Sequence, residues 1–367
     1  MKVQYSYLKE QFSNPMEVYF EDLRPLIASG EFTFGPFVEA FEKKFASYIG
    51  AKHVIGTSNG TDALILSLKS LGLKAGDEVI TVPNTFYATV GSIVAIGACP
   101  VFVDCNERYQ IDAEKIEAAI SSKTKAILPV HWAGCSPDIE AVLDIAQKYG
   151  LDVVEDACPA TGATINGKFA GTFGKVNAFS MHPLKPLNVM GDGGLIATND
   201  DSVAEFIRIY QNHGMVDRDH NSMWGINSRL QPIQAVIASR VLDEIEDSIR
   251  ARNRNASRLD EGLKQLEGRI QVPLRPQTNR EVYQLYQIGA KRREELLPYL
   301  ISKGIEAKIH YPVPLHLQKA AEELGYKTGD FPVCERQAGE IVTLPAHQYI
   351  TEEQVDYMVS VMCEFYS

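Results

Sequence analysis

No stretch of this sequence approaches the ~20 uninterrupted apolar residues that a membrane-spanning helix requires. The opening residues, Met1-Lys-Val-Gln-Tyr-Ser-Tyr7, hold no apolar core of the kind a secretory leader carries. Basic residues are the minority. Against 47 Asp and Glu stand 36 Lys and Arg, a formal net charge of −11. That balance removes the electrostatic footprint of a nucleic-acid binder. It bears on solubility and not on substrate, because the potential inside a site is local. Cysteine is sparse and unpatterned. Cys99, Cys105, Cys135, Cys158, Cys334 and Cys363 form no CxxC pair, so no zinc ribbon or dithiol redox site is signalled, and they read as reduced core thiols. The eight histidines show no HxH or HxxxH spacing, and no metal site is expected. There is no internal repeat and no low-complexity segment. The expectation is a cytoplasmic protein without membrane or nucleic-acid partners.

What is present is ordinary globular composition, 45% hydrophobic and 23% charged over 367 residues. That length is enough for a large core and a second unit. From about residue 50 to 240, short β-branched runs alternate with stretches of helical period. The expected strands are 78–82, 101–103, 126–130 and 153–154. The expected helices are 62–71, 89–96, 112–120 (opened by an Asp112 cap), 139–149 and 233–241. This alternation predicts an α/β fold with a mostly parallel sheet flanked by helices. After about 240 the texture changes. Residues 242–266 read as one long charged helix, 282–290 as a strand, 292–303 as a helix and 352–365 as a closing helix. We expect a large domain over 1–245 and a smaller α+β domain over 246–367, with the first ~25 residues packing on the smaller one or running across the larger.

The densest signal is Ser180-Met-His-Pro-Leu-Lys185, followed by Gly191-Asp-Gly-Gly194. It sets one lysine in a tight linker between the apolar runs 176–181 and 195–198. Earlier, Val153-Val-Glu-Asp-Ala157 ends a strand-like run in carboxylates. In open parallel sheets ligands sit beyond the carboxyl ends of strands. An amine and a carboxylate placed there suit pyridoxal phosphate (PLP). Lys185 would condense with its aldehyde, and Asp156 would keep its pyridine nitrogen protonated. Burial would lower the Lys185 pKa, so that it acts as nucleophile and then as base. Ser58-Asn-Gly-Thr61 precedes a helix. Gly60 permits close approach of a phosphate to the helix N-terminus, although ordinary capping explains the same residues. Phe86 or Tyr87 could lie flat on a heteroaromatic ring or anchor the next helix. Ser180 could donate to the phosphate. His182 could orient the lysine, face substrate or serve structure. Asn227 could reach an anion or only make a turn.

In this order the pieces resemble the DegT/DnrJ/EryC1/StrS family of PLP-dependent sugar aminotransferases. The matching motifs are Ser58-Asn-Gly-Thr-Asp-Ala63, Gly76-Asp-Glu-Val-Ile80, Pro83-Asn-Thr-Phe-Tyr-Ala-Thr89 and Val154-Glu-Asp-Ala157. They continue with Gly162-Ala163, Phe179-Ser-Met-His-Pro-Leu-Lys185, Gly191-Asp-Gly-Gly194, Gly225-Ile-Asn-Ser-Arg229 and His310-Tyr-Pro312. The match runs from about residue 15 to the C-terminus. It implies the large-and-small-domain architecture of fold type I PLP-dependent transferases. It implies that Lys185 carries the cofactor, Asp156 meets the pyridine nitrogen, Phe86 stacks on the ring, and Gly60, Thr61 and Ser180 hold the phosphate. A homodimer follows, in which Asn227 reaches the phosphate of the neighbouring chain.

The reaction implied moves an amino group from an amino acid, L-glutamate, to a keto-sugar, usually nucleotide-linked at a 3-keto or 4-keto position. A sugar phosphate, a keto-inositol or an oxidised sugar acid stand as other acceptors. His182, Lys308, His310, Tyr311 and His316 are the candidates to meet it. One departure stands out. Pro159 occupies a position where the family commonly has glutamine, so no side-chain donor is offered there to the cofactor's phenolic oxygen. Two rival readings are a PLP-dependent sugar dehydratase, whose members carry histidine at the lysine position, and a non-catalytic PLP-binding regulator. Lys185 argues against the first, and the intact Lys–Asp pair against the second.

Overall fold

The structure, a computed structural model, describes residues 1–367. Three helices lead the chain: α1 (Leu8–Ser13), α2 (Met16–Ser29) and α3 (Pro36–Ile49). Proline at the start of α3 has its φ already set for a helical turn.

A seven-stranded sheet follows. Its strands are β1 (His53–Thr57), β2 (Glu78–Thr81), β3 (Cys99–Phe102), β4 (Thr124–Ile127) and β5 (Asp152–Asp156). After a small hairpin, β6 (Thr164–Ile165) and β7 (Lys168–Phe169), come β8 (Val176–Ser180) and β9 (Gly194–Thr198). The spatial order is β1-β9-β8-β5-β4-β2-β3. Five neighbouring strands run parallel, and β9 lies antiparallel to both β1 and β8. The sheet is thus mostly parallel, as the alternation predicts.

Both faces are covered, by α4 (Gly60–Ser70), α5 (Tyr87–Ala95), α6 (Ile139–Tyr149) and α7 (Asp201–Tyr210) together with the leading helices. Side chains alternate across a strand, and the two cores follow from that. Phe179 and Leu195 join Phe41 and Phe45 of α3 on one face. Ala178 and Ile196, one residue along, join Leu64 and Leu68 of α4 on the other. With both faces covered, every residue of β8 and β9 is buried.

The rest begins with α8 (Pro232–Asp243) and α9 (Ile245–Leu263). The single helix expected over 242–266 is broken at Glu244, where ψ is 1°. No Gly or Pro marks the break. Leu242 and Ile245 both reach the same core, and the kink turns both inward. A second sheet joins β10 (Ile270–Gln271), β12 (Tyr286–Ala290) and β13 (Ile341–Leu344), while β11 (Asn279–Arg280) pairs with β6. It packs with α9, α10 (Arg293–Ser302), α11 (Pro332–Glu340) and α12 (Glu352–Tyr366). Its core takes in Leu259, Leu296, Val355 and, from the other end of the chain, Val3.

Two further expected elements are corrected. Residues 112–120 form two short 3-10 turns and no α-helix; Ile116 is their sole fully buried anchor, too little for an apolar stripe. The expected strand 282–290 pairs only over 286–290, because Val282 and Leu285 donate their N–H groups to Gly134 and Ala133 instead. No helix is long and apolar enough to cross a membrane.

Candidate active site

Parallel strands place their carboxyl ends on one side. The loops after β2, β5 and β8 meet there around a cavity of about 560 Å³. Lys185 and Asp156 both line it.

Lys185 sits in a linker held from two directions. Its N–H donates to His182 O at 2.8 Å, and its own carbonyl accepts from the Tyr7 hydroxyl at 3.3 Å. Asn188, three residues on, donates to Pro183 O at 2.6 Å and accepts from Gln11 Nε2 at 2.6 Å. The linker is therefore bolted to the N-terminal segment. Burial holds the Lys185 amine below the usual lysine pKa, against the opposing pull of Cys158 and Asp156.

Asp156 is aimed by two bonds. Its Oδ2 accepts from Thr89 Oγ1 at 2.7 Å, and its Oδ1 from the Cys158 N–H at 3.2 Å. Thr89 stands in the first turn of α5 and shares a 2.8 Å hydrogen bond with Thr85. Behind the strand, Glu155 is fully buried and accepts from His131 Nε2 at 2.7 Å and from the N–H groups of Gly171, Phe173 and Gly174. Burial works to raise the Glu155 pKa, but His131 and those amides bring it below the ordinary carboxylate range. His131 also donates its backbone N–H to Asp156 O at 3.0 Å. The end of β5 is thus pinned on both faces.

The start of α4 forms the third wall. Asn59 caps it by accepting from Asp62 N at 2.8 Å. Gly60 and Thr61 line the cavity, and first-turn N–H groups have no acceptor within their own helix. A Cβ on Gly60 would lie 2.7 Å from Ser180 Cβ and 3.0 Å from Ser180 Oγ. Only glycine brings the helix start this close to β8. Asp62 also lines the cavity, but its carboxylate is engaged by Ser58 and by Ser228, the latter at 2.9 Å.

Aromatic and imidazole side chains close the opening. Phe86 is half exposed at the head of α5 and stands 6.1 Å from the Tyr311 ring. Tyr5 stacks on His310 at 5.8 Å. Burial, with help from Lys185 and Lys308, pushes the His310 pKa down to about 4, so its imidazole is neutral. Burial pushes the Tyr311 phenol up to about 12. His182 is lowered by desolvation and by Lys185.

An amine, an aimed carboxylate, a helix start free of a Cβ and a flat aromatic side chain share one cavity. These are the four features a pyridine aldehyde carrying a phosphate requires. The residues fit PLP. Of the candidates read from sequence, Gly60, Thr61, Phe86, Asp156, Ser180, His182, Lys185, His310 and Tyr311 line the cavity. Three do not. Asn227 is exposed and accepts from Arg229 Nε at 2.8 Å. Lys308 is exposed, with its backbone paired to Thr343. His316 is buried, its Nε2 3.0 Å from Glu335 Oε1 and its ring edge-on to Phe331; it serves packing, not substrate. Pro159 lines the cavity and offers no donor. Sequence reading missed Thr89, Trp132, Asp192, Gln284 and Tyr5. Thr89 and Asp192 lie inside recognised motifs, but the other three arrive from distant segments without a local signature.

The profile of the DegT/DnrJ/EryC1/StrS aminotransferase family matches residues 16–363. A pleiotropic regulatory protein of Geobacillus stearothermophilus is 40% identical over 98% of this chain and 97% of its own. The dTDP-3-amino-3,4,6-trideoxy-alpha-D-glucose transaminase of Micromonospora megalomicea subsp. nigra is 37% identical over 98% of this chain and 97% of its own. The crystal structure of NtdA from Bacillus subtilis with bound cofactor PMP superposes with a TM-score of 0.92 at 30% identity, covering 99% of this chain and 85% of that one.

Proposed function

From the premise that this chain belongs to the DegT/DnrJ/EryC1/StrS aminotransferase family, we propose that its acceptor is a nucleotide-linked 3-keto-hexose and its donor L-glutamate. The chain is a PLP-dependent sugar aminotransferase of fold type I. The C3 position and the nucleotide rest on the activity named for the Micromonospora relative. The observation that carries the chemistry is Lys185 and Asp156 facing a single cavity.

Bound PLP supplies an aldehyde that captures amines and a ring that takes up the electron pair of the carbon–hydrogen bond being broken. The chain supplies the rest. Lys185 Nζ, whose pKa burial lowers from the ordinary lysine value, would hold the cofactor at rest. With a donor bound, the same Nζ would take the donor's α-proton and return it. In the second half, with the keto-sugar, it moves a proton in the reverse sense. Asp156, oriented by Thr89 and Cys158, holds the proton on the pyridine nitrogen. Gly60, Thr61 and Ser180 receive the phosphate. Phe86 covers the ring. His182, His310 and Tyr311 face the sugar, with His310 as a neutral hydrogen-bonding partner.

The active unit is a homodimer. Asn227 lies exposed beside Trp224, which is 89% exposed. Both features suit a surface covered by a second copy, in which Asn227 completes the neighbouring phosphate site. The two-domain division falls near 245, and the enzyme works in the cytoplasm. The Geobacillus relative carries a regulatory name, and one experiment tests turnover against a purely regulatory role. L-glutamate alone should abolish the visible absorbance of the bound cofactor, and a dTDP- or UDP-linked 3-keto-hexose should restore it. Absorbance indifferent to glutamate and to other amino acids would establish the regulator reading.

A further inference from the structure

We propose that a small void behind the Lys185 linker binds one monoatomic anion, chloride, on the buried guanidinium of Arg252. Arg252 projects from α9 and is 2% exposed. One of its nitrogens, Nη1, donates to Tyr283 O at 3.0 Å. The other two, Nε and Nη2, are buried and have no hydrogen-bond partner. Its Cζ lies 5.1 Å from the Tyr7 ring centroid, a cation–π contact that satisfies none of its N–H groups.

The surroundings supply no counter-charge. No carboxylate lines the void. His347 does line it, but its Nε2 is spent on Gln4 O at 3.1 Å and its Nδ1 on the Tyr349 N–H at 3.3 Å. Gln284 gives its Nε2 to Leu184 O at 3.3 Å, and the Tyr7 hydroxyl donates to Lys185 O at 3.3 Å. A buried cation with two idle donors and no anion is a costly arrangement unless something negative joins it. The void admits a water-sized particle over about 20 Å³, a scale that suits one small monoatomic ion better than a phosphate or a sugar. Two contacts tie it to the chemistry. Tyr7 touches both Arg252 and the Lys185 linker, and Tyr5, Leu184, Gln284 and Leu285 line both this void and the large cavity.

The test is anomalous diffraction from crystals of the holoenzyme soaked in sodium bromide. A bromide peak within about 3.5 Å of Arg252 Nε or Nη2 is the expected result. Density there without anomalous signal means an ordered water only and overturns the proposal, as does a map with bromide elsewhere but none at Arg252. A second readout uses wild-type holoenzyme in chloride against gluconate at equal ionic strength. Chloride should raise the Tm saturably by about 1–3 °C, since gluconate is too large to enter. Equal Tm values in the two salts would also overturn it. Arg252→Gln should lose both the peak and the rise; if that variant does not fold, the wild-type bromide map still decides.

Discussion

Replacing Gly60 by alanine adds one methyl at the point where α4 meets β8. In a helix, alanine is ordinarily favoured over glycine by ~0.5–1 kcal/mol. Here the new carbon would stand 2.7 Å from Ser180 Cβ, 3.0 Å from Ser180 Oγ and 3.3 Å from Cys158 Sγ. Overpacking of this kind costs ~1–3 kcal/mol. The clash outweighs the propensity, and a net loss of ~0.5–2 kcal/mol in stability is expected. If the strain is relieved by moving Ser180, the phosphate contact proposed for its hydroxyl is lost. A hydrogen bond to a charged acceptor contributes ~1.5–3 kcal/mol, which is roughly 10- to 150-fold in cofactor affinity. Gly91 of α5 provides the control, since a Cβ there meets nothing within 4 Å. Titration of the apoproteins with PLP, followed by absorbance, together with calorimetric Tm values, reads both effects. Gly91→Ala should bind as wild type and melt no lower. A Gly60→Ala protein with wild-type affinity and wild-type Tm would refute the cradle.

Other perturbations follow from the same geometry. Thr89→Val removes the donor to Asp156 Oδ2; about tenfold lower kcat is expected with little change in KM, and an unchanged kcat would show that Cys158 N–H alone aims the carboxylate. Asp156→Asn should lower turnover by ~10²-fold or more while cofactor remains bound; half of wild-type activity would contradict the assigned role. Lys185→Ala should abolish turnover in steady-state assay, and any sustained turnover above one-hundredth of wild type would count against it. His310 and His347 both have pKa values pushed down to about 4 from 6.5, chiefly by burial. Between those values the unfolded chain binds protons that the folded chain refuses. Their contribution to stability is therefore complete above pH ~6.5 and declines as pH falls toward ~4. His347→Gln should flatten that decline in Tm, and an identical pH profile would count against the assignment.

Much of the site was legible because its residues are local in sequence. Lys185 is framed by two apolar runs that became β8 and β9, and Asp156 ends an apolar run that became β5. The helix start at Gly60 follows the same logic. What could not be read came through long-range contact. Tyr5 and Tyr7 reach the Lys185 linker across nearly half the chain, and nothing in Val3-Gln-Tyr-Ser-Tyr7 signals that path. His316 is a substrate candidate in sequence, yet Glu335 and Phe331, from the start of α11, enclose it. The kink at Glu244 has no local marker, because it is imposed by Leu242 and Ile245 sharing a core. Thr89 was visible as a motif residue, but only its distance to Asp156 Oδ2 gives it work.

The central assertion is that one amine, on the linker after β8, carries the cofactor. Borohydride reduction of the holoenzyme, followed by peptide mass spectrometry, tests it directly. The account expects the cofactor's mass to be fixed on the peptide containing Lys185 and on no other. Label on a different lysine, or a Lys185 peptide left unmodified while the reduced protein retains its cofactor, would contradict it.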